Sequence, residues 1–182
     1  EKLLDTILSR CARIDFGLVA TDDIEAALLA GNIAPDKARL LARLSGGRPG
    51  WAIDAAANEK VLERRRDVLA TARSLAQSPV ADRIDLAEKL SEAFKRDRQP
   101  VIDQLDAWAA WWRDVLLVQT GAGDRIANLD LERELREDAD AHTTAEIAAF
   151  LQSIIDTRTY LIENVQSRIA LDALMLAAPT AH

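Results

Sequence analysis

One cysteine, Cys11, stands in 182 residues. That excludes an intramolecular disulfide and a cysteine-built zinc site within the chain. Histidine is nearly as scarce. His142 falls just before a helix cap and His182 ends the chain, neither with a Cys, Ser or acidic partner at ligand or triad spacing, so both read as solvent histidines. No signal-peptide pattern and no apolar run of bilayer length is present, so the chain is expected to be cytoplasmic, with no membrane partner. Cationic excess is missing too. The net charge is −7, which makes a poor general DNA binder, because nucleic-acid affinity rests on neutralising phosphates. "GGRPG" is glycine-rich but lacks the Gly-Lys-Ser/Thr of a P-loop. There is no internal repeat and no low-complexity linker. The chain opens on Glu1 rather than Met and reads as a piece of something longer.

What is there is apolar and helical. Apolar residues make up 49% and charged residues 29%, a globular balance rich in Ala, Leu, Arg, Asp and Glu. Leu3, Leu4, Ile7 and Leu8 have helix spacing, and Cys11 to Phe16 alternate as a strand that Gly17 ends. Three short helices follow. Thr21 is placed to cap the first, with Asp22, Asp23 and Glu25 in its first turn and Gly31 as a left-handed stop. Pro35 opens the second, Gly46-Gly47 follows it, and Pro49 opens the third. Ile24, Leu28, Ala38, Leu41, Leu44, Trp51 and Ile53 are the predicted core of this unit.

From residue 59 the helices lengthen. Val61, Val68, Leu69, Ala72 and Leu75 form one stripe; Ser78-Pro79 reads as an N-cap and first residue; Ile84, Ala87, Leu90 and Phe94 form the next stripe. Pro100 marks a new start or a kink before Val101, Leu105, Trp108, Trp112 and Val115. Thr143 and Glu146 spell a capping box. A last long helix would carry Ile147, Phe150, Ile154, Leu161, Val165, Ile169 and Leu176 on one face. Residues 59–178 therefore predict a bundle of about five helices, and the fold class is all-α with a strand remnant at the N-terminus.

Few residues offer chemistry. Ser9 and Cys11 have no base placed beside them, and Cys11 reads as a packing residue. Trp108, Trp111 and Trp112 could stack bases, but helix spacing favours core, with one ring left for an interface. Arg64, Arg65 and Arg66 read as a solvated face, with contacts to acidic neighbours left open. Arg10, between helix and strand, presents a permanent charge and a planar fork suited to phosphate oxygens, although spacing alone does not distinguish it from a surface arginine.

"LLDTILSRCARIDF", followed by a three-helix unit ending "LSGGRPGWAIDAA", resembles the bacterial clamp-loader AAA+ ATPases of the DNA polymerase III holoenzyme. Ser9, Arg10 and Cys11 match the family's Ser-Arg-Cys motif, while Asp5 stands where proline is usual. The resemblance implies that Arg10 is a finger reaching the ATP of a neighbouring subunit. The family's motor subunits, gamma and tau, carry Gly-Ser-x-Arg-Asp-Ala. Aligned on Gly47 and Ala52, Arg48 takes the serine position, Gly50 that of the nucleotide-sensing arginine and Trp51 that of the aspartate. Gly47, Arg48, Pro49 and Gly50 thus resemble the degenerate turn of the non-hydrolysing delta-prime branch. "WWRDVLL" and "YLIENVQSRIALDALML" resemble its collar helices.

The resemblance implies residues 1–17 as the tail of the nucleotide-binding domain, 18–58 as the lid and 59–182 as the collar. It implies a stator without enzymatic activity of its own and without a cofactor; ATP and magnesium would sit in neighbouring subunits and a zinc module upstream. Its partners would be the gamma/tau and delta subunits, and through the complex the sliding clamp and primed DNA. The alternatives are an ATP-hydrolysing gamma/tau-type subunit and an unrelated helical scaffold.

Overall fold

The computed structural model describes residues 17–180, which form nine α-helices and two 3₁₀ turns, with no strand among the described residues. The expected strand at 11–16 and the short segment before it lie outside the described residues. The chain divides into two compact units, one through Ile53 and one from Asp54, each described by itself.

In the first unit, α1 (Thr21–Ala30) and α2 (Pro35–Leu44) pack together, and α3 (Pro49–Ala57) begins. Pro35 opens α2 as predicted. The ends of α1 differ from the prediction. Thr21 is already helical, and its preceding N-cap, Ala20, makes no side-chain cap. Gly31 keeps φ −82, so it is not the left-handed residue; Asn32 is, at φ 61. The Asn32 amide donates to Leu29 O (3.0 Å) and the Ile33 amide to Leu28 O (3.1 Å), closing the orphan carbonyls of the last turn. Asparagine tolerates this conformation, so the helix stops one residue later than glycine suggests. Ile24, Leu28, Ala38 and Leu41 are buried, and Leu44 and Trp51 half-buried. Ile53 is not core. The buried positions of α3 are Ala52 and Ala55, and Ile53, on another side of the helix, is 63% exposed.

The second unit holds α4 (Glu59–Ser74), α5 (Val80–Arg96), α6 (Arg98–Gln119), α7 (Glu132–Ala141), α8 (Thr144–Ile162) and α9 (Ser167–Ala177). α6 is central and packs on α4, α5, α7 and α8, while α9 lies on α5 and α8. Asp97 caps α6 through the Gln99 amide (3.1 Å), so Pro100 is the third residue of a new helix and not a kink. The capping box of Thr143 and Glu146 is present with both reciprocal bonds. Ser78 is not an N-cap. Pro79 holds that position, and the Ser78 hydroxyl instead donates to Ser74 O at 2.7 Å.

All three α6 tryptophans are fully buried, so none is left as an interface ring. Trp108 Nε1 donates to Val68 O (3.0 Å), Trp111 Nε1 to Asp138 Oδ2 (2.8 Å), and Trp112 meets Phe150 edge-on at 5.3 Å. His142 is also buried, its ring 5.6 Å from that of Trp112, which overturns the solvent reading. The final long helix is in fact two, giving six helices in this unit. Asn164 takes φ 63, and the Val165 amide donates to Tyr160 O (2.9 Å), ending α8 as Asn32 ends α1. The break resets the helical phase. Ala170, Leu171, Leu174 and Met175 face inward, and Val165, Ile169 and Leu176 are exposed.

Candidate functional site

Ser9, Arg10 and Cys11 lie outside the described residues, as does His182. The described part of the predicted site is the turn Ser45–Gly50 between α2 and α3. Ser45 continues the αR conformation past Leu44, is fully buried, and its hydroxyl donates to Ala42 O at 2.7 Å. Gly46 (φ 56) and Gly47 (φ 83) then reverse the chain in the left-handed region that favours glycine. The Arg48 amide (3.2 Å) and Arg48 Nε (3.1 Å) both donate to Ser45 O, folding the arginine back along the turn. Pro49 opens α3, where its missing amide is no loss, and the Ala52 amide donates to Arg48 O (3.3 Å). A Cβ on Gly50 would meet nothing within 4 Å, so neither space nor backbone conformation demands glycine there.

The turn therefore carries no acid, base or nucleophile at its tip. Its one cation, Arg48, has Nε committed to its own backbone, and position 50 presents no side chain. Among the described residues, no group of three His, Cys, Asp or Glu side chains is placed to hold a metal ion. No helix there is long and apolar enough to cross a membrane.

The polar clusters of the second unit were not predicted. Asp114, fully buried on α6, accepts from the Ala127 amide (2.8 Å), the Asn128 amide (2.8 Å) and Asn128 Nδ2 (2.7 Å), and from Arg113 (2.7 Å). Arg64 and Arg66 are exposed, and Arg65 makes the contact to an acidic neighbour that the run left open. It pairs with Asp130 at 2.9 Å and donates to Asn128 Oδ1. Arg73 clasps Asp138 and Glu137 beside the Trp111 ring. Burial works against its charge, but the two carboxylates outweigh it and raise the Arg73 pKa. Arg83, buried on α5, donates to the carbonyls of Ser78 (3.0 Å), Ala178 (3.0 Å) and Ala76 (3.4 Å). These groups satisfy one another and leave nothing aimed at a ligand, so they hold helices and loops in place. The signal for Asp114 was legible in hindsight: an acid lodged among Trp111, Trp112 and Val115, all core positions.

No protein-family model matches the chain, and no solved structure matches it. Along nearly its whole length it is nonetheless similar to one curated protein, of which it spans about half: the DNA polymerase III subunit delta' of Bacillus subtilis (strain 168), 26% identical over 176 residues, covering 97% of this chain and 53% of that protein.

Proposed function

We propose that the chain is the helical part of a delta-prime-type clamp-loader subunit acting in DNA replication in the cytoplasm. The observation that carries this reading is the similarity to subunit delta' across 97% of the chain. An all-α architecture of two compact units is compatible with it. Residues 18–58 act as the lid and residues 59–182 as the collar that assembles with gamma/tau and delta subunits. The complex loads the sliding clamp onto primed DNA. The chain hydrolyses no ATP itself, and Arg10 reaches the nucleotide of a neighbouring subunit. Gly50, where a motor subunit of the family carries its sensor arginine, favours the stator over a gamma/tau-type motor.

The test is reconstitution of the full-length protein with gamma/tau, delta, sliding clamp and primed DNA. Arg10→Ala is expected to leave assembly intact and to lower the ATP turnover of the complex. A protein that fails to join the complex, or an Arg10→Ala complex with unchanged turnover, overturns the assembly role or the finger role respectively.

A further inference from the structure

The Ser45–Gly50 turn touches a segment that no motif singles out. The Val19 amide donates to Gly47 O at 2.9 Å. A Cβ on Gly47 would lie 2.7 Å from Leu18 Cβ, 3.1 Å from Val19 O and 3.4 Å from Leu18 Cα. Two of those three neighbours are backbone atoms, which cannot swing aside as a flexible side-chain end can. Leu18 is 77% exposed, so apolar burial does not hold it there. Gly47 is also at φ 83, where an L side chain is strained. Its neighbour is different. Gly46 shares a positive φ of 56, but a Cβ there would meet only Arg48 Nη2, at 4.0 Å. Of the two glycines, Gly46 serves the reversal of the chain, and Gly47 serves both the reversal and the close approach.

We infer that Gly47 is a positioning residue: it latches Leu18 and Val19 onto the turn and so fixes the direction in which the chain enters the first helical unit at Gly17. The segment that joins there carries Ser9, Arg10 and Cys11. Gly47 thereby couples the geometry of the turn to the placement of that segment. The latch itself is independent of the proposed function; its consequence for Arg10 rests on that reading.

The test labels two exposed positions of the first unit, Gly17→Cys and Asp36→Cys, in a Cys11→Ser background. A Cβ at Gly17 meets nothing within 4 Å, so the label is tolerated. The spin–spin distance distribution is expected to be narrow in the parent. In Gly47→Ala it broadens, and Val19 amide exchange accelerates by about tenfold or more, since the Cβ pushes Leu18 and Val19 away from the carbonyl of residue 47. Gly46→Ala, strained but free of the contact, keeps the parent's width and exchange rate. If Gly47→Ala loses helical ellipticity, Val19→Pro removes the donor without touching the glycine and is expected to broaden the distribution equally. An unchanged width in the folded Gly47→Ala or in Val19→Pro overturns the latch, as does equal loosening in Gly46→Ala. A latch upheld here, alongside an Arg10→Ala complex with unchanged ATP turnover, would retain the device and remove only the finger role.

Discussion

Asp114 offers the sharpest test of how the second unit is held together. Its Oδ2 takes three donors from the loop after α6, and its Oδ1 faces Arg113. Truncation to alanine leaves the Asn128 amide and Asn128 Nδ2 without an acceptor in a residue that is 4% exposed. The Ala127 amide, on a half-buried residue, finds water more easily. An orphaned buried donor costs about 1–3 kcal/mol, so the two on Asn128 put Asp114→Ala at about 4 kcal/mol. That is a large share of the roughly 5–15 kcal/mol that holds a domain folded. Asp114→Asn should behave differently. Its amide oxygen can keep the three loop donors, and its NH₂ then meets Arg113, whose side chain is half-exposed and can turn to water. The expected cost is about 1 kcal/mol. Arg113→Ala, an exposed partner, should cost less than about 1 kcal/mol.

Equilibrium urea unfolding reads all three variants, followed by ellipticity and by the fluorescence of the buried tryptophans. At a slope of about 2 kcal/mol per molar, Asp114→Ala moves the midpoint by about 2 M and Asp114→Asn by about 0.5 M. If alanine and asparagine cost the same, or alanine costs less than about 2 kcal/mol, the loop amides are not what Asp114 serves and the reasoning fails.

Asn32→Ala should destabilise α1 by about 1 kcal/mol because alanine is strained at φ 61, while Asn32→Gly should be neutral or better, both read by thermal unfolding. Gly50→Ala should stabilise by about 0.5 kcal/mol in the same assay, since the position has room and needs no special backbone. The Lys95 ammonium, 2.6 Å from Glu92, holds that carboxyl below its ordinary range through a hydrogen bond and charge attraction. A lowered folded pKa means that the pair's stabilisation is present above the unfolded value and disappears as pH falls through the folded one. Carboxyl NMR titration should find Glu92 low, and Lys95→Met should return it upward; no movement on that substitution would dissociate the pair from the shift.

Helix positions were legible where two signals agreed. Pro35 and Pro49 start helices, Thr143 and Glu146 form their box, and the stripe Val101, Leu105, Trp108, Trp112, Val115 is core in full. The two misplaced C-terminal helix ends share a cause. Asn32 and Asn164 both occupy the left-handed stop, and asparagine in a sequence looks like any polar residue, whereas glycine advertises itself. At Asn164 the apolar spacing also continued across the turn. Leu161, Val165 and Ile169 stay four apart, so periodicity carried one helix through a point where the backbone makes two. The contact of Leu18 with Gly47 was illegible for another reason: it is a close approach of backbone made by tertiary structure, which leaves no pattern of side chains to read.

Three glycines of one turn answer to three different demands. Gly46 is needed for its backbone, and Gly47 for its backbone and for the space beside Leu18. Gly50 is needed for neither. In the motor subunits of the clamp-loader family that the sequence resembles, the residue at that place is the arginine that senses nucleotide, and a Cβ there would meet nothing within 4 Å. Arg48, two residues before, cannot readily substitute, because its Nε donates back to Ser45 O. So the turn keeps what the backbone requires and omits what the sensing role would require. A glycine forced by shape would say nothing about function; a glycine that shape leaves free is what supports the stator reading over the motor.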